Sequence, residues 1–391
     1  EIEALNARGG ILLPELARAL DAESSIASKA LGKHCLSLKL VAARADLEEE
    51  QRSRQPSVFS ILRAITQHFF SDKDIHLGLY GAFAYDLTFQ FEAVQQRQVR
   101  DPNTRDLVLY LPDEIIKVDH HAGVARCHSY EFVCRRSDQA HSEPPSETTG
   151  GLRRRGSSIP FVRGALTAAH CDHGSGEYAA IVRKAKEYFR RGDLFEVVPG
   201  QVFHEPCKDS PAQIFTRLQQ RNPAPYGTLM NLGEQEYLLA ASPEMYVRVQ
   251  GRRVETCPIS GTIARGEDAI ADARQIKELL NSQKDEAELS MCTDVDRNDK
   301  SRVCVPGSVR VIGRRQVEMY ARLIHTVDHV EGELAPEYDA LDAFLTHAWA
   351  VTVTGAPKQS AIQFIEDNEK SPRLWYGGAI GCIGFNGDLN T

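Results

Sequence analysis

The sequence predicts an α+β fold, and three observations carry that reading. Strand-like segments occur in antiparallel-looking pairs joined by turns. Helical periodicity appears between them at irregular intervals. No regular β-α-β alternation of the kind a doubly wound parallel sheet needs runs along the chain. The 391 residues are 42% hydrophobic and 26% charged, ordinary globular composition that can bury a large core. No repeat of solenoid length is present.

Taken in order, Gly78-Leu79-Tyr80-Gly81-Ala82-Phe83-Ala84-Tyr85-Asp86 reads as a glycine-rich buried strand or turn. No Lys-Ser or Lys-Thr follows it, so its glycines permit packing and do not cradle phosphate. Residues 106–111 and 115–119 read as strands. Residues 135–158 are rich in Ser, Gly, Pro and Arg and nearly devoid of apolar side chains, which predicts a mobile linker with a solvated Arg153-Arg154-Arg155. The chain therefore divides into 1–134, a linker over 135–165, and 166–391. In the last part, Tyr178, Ile181, Val182, Ala185 and Phe189 repeat at helical spacing, with Gly192 as the stop. Residues 194–198 read as a strand ended by Pro199-Gly200. Residues 237–249 and 253–259 read as a strand pair turning at Gln250-Gly251, and 272–280 and 285–295 as helices.

A formal net charge of -8 and a pI near 5.9 exclude a general nucleic-acid binder, which needs clustered Lys and Arg. No apolar run reaches the roughly 18 residues of a membrane span. Nine scattered cysteines without a CxxC pair fit neither a disulfide framework nor a zinc site, so a reducing, cytoplasmic setting is expected. The chain opens at Glu1, not Met, and closes on a turn-like 387–391 directly after the apolar 379–385. A strand and turn of this kind continue into a partner strand, so the sequence reads as a fragment cut at both ends.

Several polar residues sit inside apolar surroundings. Glu196 lies between Phe195 and Val197, Glu244 follows Ser242-Pro243, and Glu288 stands one helical turn before Cys292. His325 follows Leu323-Ile324, and Thr352 lies between Val351 and Val353. Taken singly, each has an ordinary structural reading, as an edge carboxylate, a solvated helix carboxylate or a hydrogen-bonded core histidine. Their order and local sequence set them apart. The segment 192–201, Ser242-Pro243-Glu244, Pro258-Ile259-Ser260-Gly261-Thr262, residues 284–288 with Asp296-Arg297-Asn298-Asp299, and residues 352–358 together resemble the chorismate-utilising enzymes. That family includes the anthranilate synthase large component, aminodeoxychorismate synthase, isochorismate synthase and salicylate synthase. The likeness runs from about Tyr178 to the end. A weaker one at 78–86 and 109–112 points to anthranilate synthases fused to a glutamine amidotransferase.

The resemblance implies a chorismate-binding fold in which two subdomains enclose one cleft. Water-adding members carry a lysine base where this chain has Glu196, and aminodeoxychorismate synthases carry a nucleophilic lysine where it has Ser260. Anthranilate synthesis therefore leads, with 2-amino-2-deoxyisochorismate synthesis as the alternative and a non-catalytic partner subunit as a reading from another class. By the same resemblance, Glu244 is the general acid for the leaving hydroxyl, His325 the base that removes the ring proton, and Glu196 a further member of the catalytic set. Gly261, Thr262, Thr352 and Tyr376 contact the substrate, and Glu288 binds Mg²⁺. Pro225, Tyr226 and Gly227 match a segment that lines a tryptophan pocket in feedback-regulated relatives, and Leu289 replaces a histidine. Chorismate and ammonia from a glutamine amidotransferase domain or subunit are the implied partners, with no nucleic acid or membrane. A homo-oligomer stays open, as does a plastid location in a photosynthetic eukaryote. Relatives continue into a strand with a substrate-binding arginine and a helix with a second Mg²⁺ carboxylate. Neither follows Thr391, so this exact chain is expected to be unstable or inactive where its parent is active.

Overall fold

A computed structural model describes residues 1–41, 49–134, 147–152, 160–164 and 168–391. Its main strand pairs are antiparallel and are interspersed irregularly with helices, the α+β arrangement predicted above. The chain forms two compact units, each discontinuous in sequence. One comprises Glu1–Tyr80, Leu109–Pro160 and Cys382–Asp388, and the other Gly81–Val108, Phe161–Gly381 and Leu389–Thr391.

In the first unit, Cys35–Leu40 pairs with Ile2–Glu3 on one side and Ile26–Leu31 on the other. Helix Ala7–Ala19 starts where the Asn6 side chain accepts from the Gly9 N–H at 2.9 Å, and Ser57 caps helix Val58–His68 in the same way. Both helices bury an apolar stripe, Leu12, Leu13 and Leu16 on one and Phe59, Leu62 and Ile65 on the other. Glu114–Asp119 and Val124–Ser129 form a hairpin whose first arm is the expected strand. Most of the segment read as a linker, with Arg153-Arg154-Arg155, lies outside the described residues. Within its described part, Glu147–Thr148 pairs with Val133–Cys134.

The second unit is organised around the long strand Leu323–Glu333. Along one side of it Arg253–Thr256 and Ile259–Ala264 lie end to end, separated at Pro258, which has no N–H to offer a ladder. Arg310–Met319 covers its other side. Arg248–Gln250 extends the sheet from Arg253–Thr256 through the Gln250-Gly251 turn, where Gly251 takes φ of +59°, and Leu389–Asn390 pairs next. The expected single strand over 237–249 is instead two pieces. Glu236–Ser242 pairs with Tyr226–Gly233, and Pro243 breaks the ladder before Arg248–Gln250 begins.

Helices Ala269–Asn281 and Gln283–Ser301 pack on this sheet. The second outruns the predicted 285–295 because its last turns bury Asp299 and Lys300, which an apolar-periodicity reading cannot see. Helix Glu177–Arg191 ends at Gly192, with φ of +80°, as expected, and its Ala185 packs with Leu194, Ala361 and Phe364. Burying Leu194 and Phe364 contributes roughly 1.5–3 kcal/mol each. Among the described residues, no helix is long and apolar enough to cross a membrane, and all nine cysteines are free thiols.

Candidate active site

A short strand sets one wall of the site. The expected strand over 194–198 shrinks to Glu196–Val197, paired with Gly355–Ala356. Phe195 N–H donates to Ala356 C=O at 2.8 Å, and Val198 N–H to Thr354 C=O at 3.0 Å. The approach is so close that a Cβ on Gly355 would lie 2.2 Å from the Glu196 carbonyl oxygen, and Gly355 adopts φ of +134°. Only glycine fits there. Next to it, Cys292 of the long helix packs with Val351 and Ala356, supported by Met291 and Val295.

Three carboxyl groups bear on Cys292. Its thiol donates to Glu196 Oε2 at 3.8 Å, and its ionisation is opposed first by burial and then by the charges of Glu196, Glu288 and Glu244. Burial, reinforced by Glu288, pushes the Glu196 carboxyl up to about 7. Glu288 is about one-third exposed and pairs with Lys284 at 3.6 Å on the same helix face.

Glu244 follows the Pro243 break, its N–H donating to Ser242 Oγ at 3.3 Å. It lines a pocket with Thr256, Cys292, Asp296, His347, Thr352 and Lys358 among others. Thr352 Oγ1 donates to its carboxylate at 3.0 and 3.3 Å. Burial pushes Glu244 up to about 7; the Thr352 hydroxyl and the Ile259 N–H oppose this, and the charge of Asp296 adds to it. A carboxyl poised there carries a proton through much of the neutral range.

His325 lies opposite Thr262 in the sheet, and Thr262 Oγ1 meets its Nδ1 at 2.9 Å. Burial holds the imidazole below its usual pKa, so the ring is neutral at pH 7. Gly261, at a bulge in that strand with φ of +85°, is fixed by space as well as conformation: a Cβ would lie 2.6 Å from Thr326 Oγ1. The Tyr320 ring stands edge-on to His325 at 5.1 Å, while its hydroxyl donates to Glu318 and lies 3.5 Å from the Pro243 carbonyl. Tyr320 thereby links the histidine to the segment that carries Glu244.

The sequence-predicted residues thus fall into contacting sets. Glu244 touches Thr352, His325 touches Thr262, and Glu196 touches Cys292, whose ionisation the charges of Glu288 and Glu244 also oppose. Tyr376 stands apart, 55% exposed, its ring against the Arg373 guanidinium. Tyr226 opens the strand paired to Ser242, followed by Gly227, while Pro225 precedes that strand.

Sequence reasoning missed His347, which lines the pocket, and Lys300, which backs it. Lys300, fully buried, donates to Thr256 Oγ1, to Asp296 Oδ2 at 3.0 Å and to His347 Nε2 at 3.4 Å. His347 Nδ1 meets the Ala343 carbonyl at 2.7 Å, so its Nε2 is the acceptor, and burial keeps the ring neutral. Burial also lowers Lys300, which Asp296 partly offsets. Lys358, bound to Asp299 at 2.6 Å, also lines the pocket. The available signal was the Asp296/Lys300 i,i+4 spacing, indistinguishable in sequence from a solvated surface pair.

Among the described residues, no three His, Cys, Asp or Glu side chains gather as a ready metal cage. Glu288 and Glu196 offer oxygen donors only, close enough that one raises the other. That donor set fits a hard cation that takes one or two protein carboxylates and completes its shell with water and ligand oxygens.

Comparison with known proteins places this arrangement. Residues 24–391 match the chorismate binding enzyme family. The chain is 57% identical over 390 residues to an anthranilate synthase of Azospirillum brasilense, covering all of this chain and 52% of that protein. It is 34% identical over 367 residues to anthranilate synthase component 1 of Vibrio cholerae, covering 88% of this chain and 68% of that protein. The crystal structure of anthranilate synthase component I from Streptococcus pneumoniae superposes with a TM-score of 0.69 at 23% identity, over 91% of this chain and 78% of that one, which supports the fold. The chain spans about half to two-thirds of the length of the first curated relatives it matches. On the family match and the full-length similarity together, the chain belongs to the chorismate binding enzyme family, which contains anthranilate synthase component 1.

Proposed function

We propose that the protein carrying this chain converts chorismate and ammonia to anthranilate and pyruvate, the entry reaction of tryptophan biosynthesis. The observation that carries this reading is Glu244, a carboxyl group raised to about 7 in a polar pocket and oriented by the Thr352 hydroxyl. The reaction expels a hydroxyl from the ring, and hydroxide leaves readily only as water, so a group holding a proton at neutral pH must deliver one. Glu244 supplies it. His325 then removes the ring proton as pyruvate departs and the ring aromatises; Thr262 Oγ1 at 2.9 Å from Nδ1 and a hydrogen bond to the Gly261 backbone hold the ring in place. Glu196 contributes a second carboxyl poised near neutrality on the other side of Cys292. Gly261, Thr262, Thr352 and Tyr376 are assigned to orient the substrate.

Glu288 would hold Mg²⁺, which when bound would supply positive charge to draw electron density toward the substrate carboxylate. Ammonia is assigned to a glutamine amidotransferase domain or subunit, and Pro225, Tyr226 and Gly227 to a regulatory tryptophan pocket. Nine free thiols accord with a cytoplasmic setting. The test is to incubate the intact natural polypeptide with chorismate, Mg²⁺ and ammonium salt and follow anthranilate fluorescence. Anthranilate with pyruvate in equal amount is expected. Isochorismate, or an amino-intermediate that accumulates without pyruvate, would overturn the reading. In kcat/KM, the rate should fall above about pH 7 as Glu244 loses its proton and below the lowered pKa of His325 as that ring gains one.

A further inference from the structure

We infer that Arg373 is a positioning residue for the reaction proposed above, a buried clamp that sets the relation between the Glu196 strand and the Thr352 segment. The inference rests on that functional reading. Arg373 is 6% exposed, and its guanidinium spends its donors on the backbone of both walls. Nη2 donates to the Val198 carbonyl at 2.6 Å, two residues after Glu196, and Nη1 donates to the Val353 carbonyl at 2.6 Å, one residue after Thr352. Nε donates to Glu369 Oε2 at 3.0 Å. Glu369 in turn accepts the Gly200 N–H through Oε1, so the pair holds the Glu196 strand at a second point. The planar face of the cation lies over the ring of Tyr376 at 5.4 Å, which brings a second candidate substrate contact, after Thr352, under the same group.

The direct link between the two walls is short. The Glu196–Val197 strand is only two residues long, and Val351–Val353 is a single turn of 3₁₀ helix. Elements of that size do not hold a register by themselves. A rigid fork with donors at fixed angles can do so, and a lysine, with one flexible point charge, cannot reach two carbonyls and a carboxylate at once. The expected consequence is a loss concentrated in kcat, because displacement of a reacting group by about 1 Å costs on the order of 100-fold.

Two variants of the intact polypeptide test this. Arg373→Lys keeps the charge. The double variant Arg373→Met with Glu369→Leu removes the buried pair together, so that no unpaired charge prevents folding. Both should fold, with unchanged circular dichroism, and lose roughly 10- to 100-fold in kcat while KM for chorismate moves by less than about threefold. Hydrogen exchange reads the clamp without the reaction: amides of Val198, Gly200 and Thr354 should exchange at least about tenfold faster in the double variant, with those of helix Glu177–Arg191 unchanged. A double variant that keeps wild-type kcat and wild-type exchange at those amides overturns the inference. An inactive wild-type protein would instead count against the proposed function, and the exchange experiment would still decide the clamp.

Discussion

Two glutamates in the same structural unit, one buried and one half-buried, meet opposite fates. Glu366, 3% exposed on helix Lys358–Asn368, accepts both guanidinium donors of Arg100, at 2.9 and 2.8 Å, and the backbone N–H groups of Arg97 and Gln98, at 2.6 and 2.8 Å. Burial alone would raise it, yet these donors outweigh the desolvation and hold it below the ordinary carboxylate range. Glu244 has the Thr352 hydroxyl and the Ile259 N–H against burial and the charge of Asp296, so burial wins and the group rises to about 7. The residue type is the same; the number and charge of the donors decide which glutamate is structural and which holds a proton to give.

The comparison is broken most forcefully at Glu244. Glu244→Gln should lower kcat for anthranilate by on the order of 1,000-fold with little change in KM, since the amide keeps the shape and removes the proton. The corresponding change at Glu366 should act on folding. Glu366→Gln leaves Arg100 partly unpaired and should destabilise by about 3 kcal/mol in urea denaturation, while kcat per folded molecule stays near wild type.

Stability against pH sharpens the contrast. Folded Glu244 binds its proton near pH 7 and unfolded Glu244 near 4.5, so its contribution is whole below pH 4.5 and is lost as pH rises through 7. Glu244→Gln should therefore stabilise the protein by on the order of 2 kcal/mol at pH 8 and by nothing measurable at pH 4. Glu366 has the opposite sign: its depressed value adds stability at neutral pH that disappears as pH falls. The smallest effect is expected from Thr352→Val. Loss of the hydroxyl should move the alkaline limb of kcat/KM upward by less than about one pH unit, because that donor favours the ionised form.

Much of this was legible in the residues, and the gaps have physical causes. The Glu177–Arg191 helix and its Gly192 stop followed from apolar spacing and glycine, and the Gln250-Gly251 turn from the same chemistry. Glu244, Thr352 and Thr262 were singled out through ordered motifs and His325 through the family resemblance, because single polar residues in apolar runs look alike whether they are satisfied in a core or waiting for a ligand. Lys300 and His347 stayed hidden because buried polar networks leave no mark in a hydrophobicity pattern. Arg373 stayed hidden because its partners are backbone carbonyls contributed by residues 175 and 20 positions away. Discontinuous units likewise cannot be read from a linear scan: the chain passes between them several times, as at Tyr80–Gly81 and Val108–Leu109.

The protonation of Glu244 is the point on which the account turns. Carbon-13 NMR of the protein labelled at glutamate carboxyl carbons, with the resonance assigned by its disappearance in Glu244→Gln, follows that group directly. A midpoint near pH 7, well separated from the bulk of the glutamates, is expected. A midpoint near the ordinary 4.5 would leave the leaving hydroxyl without its acid and would contradict it.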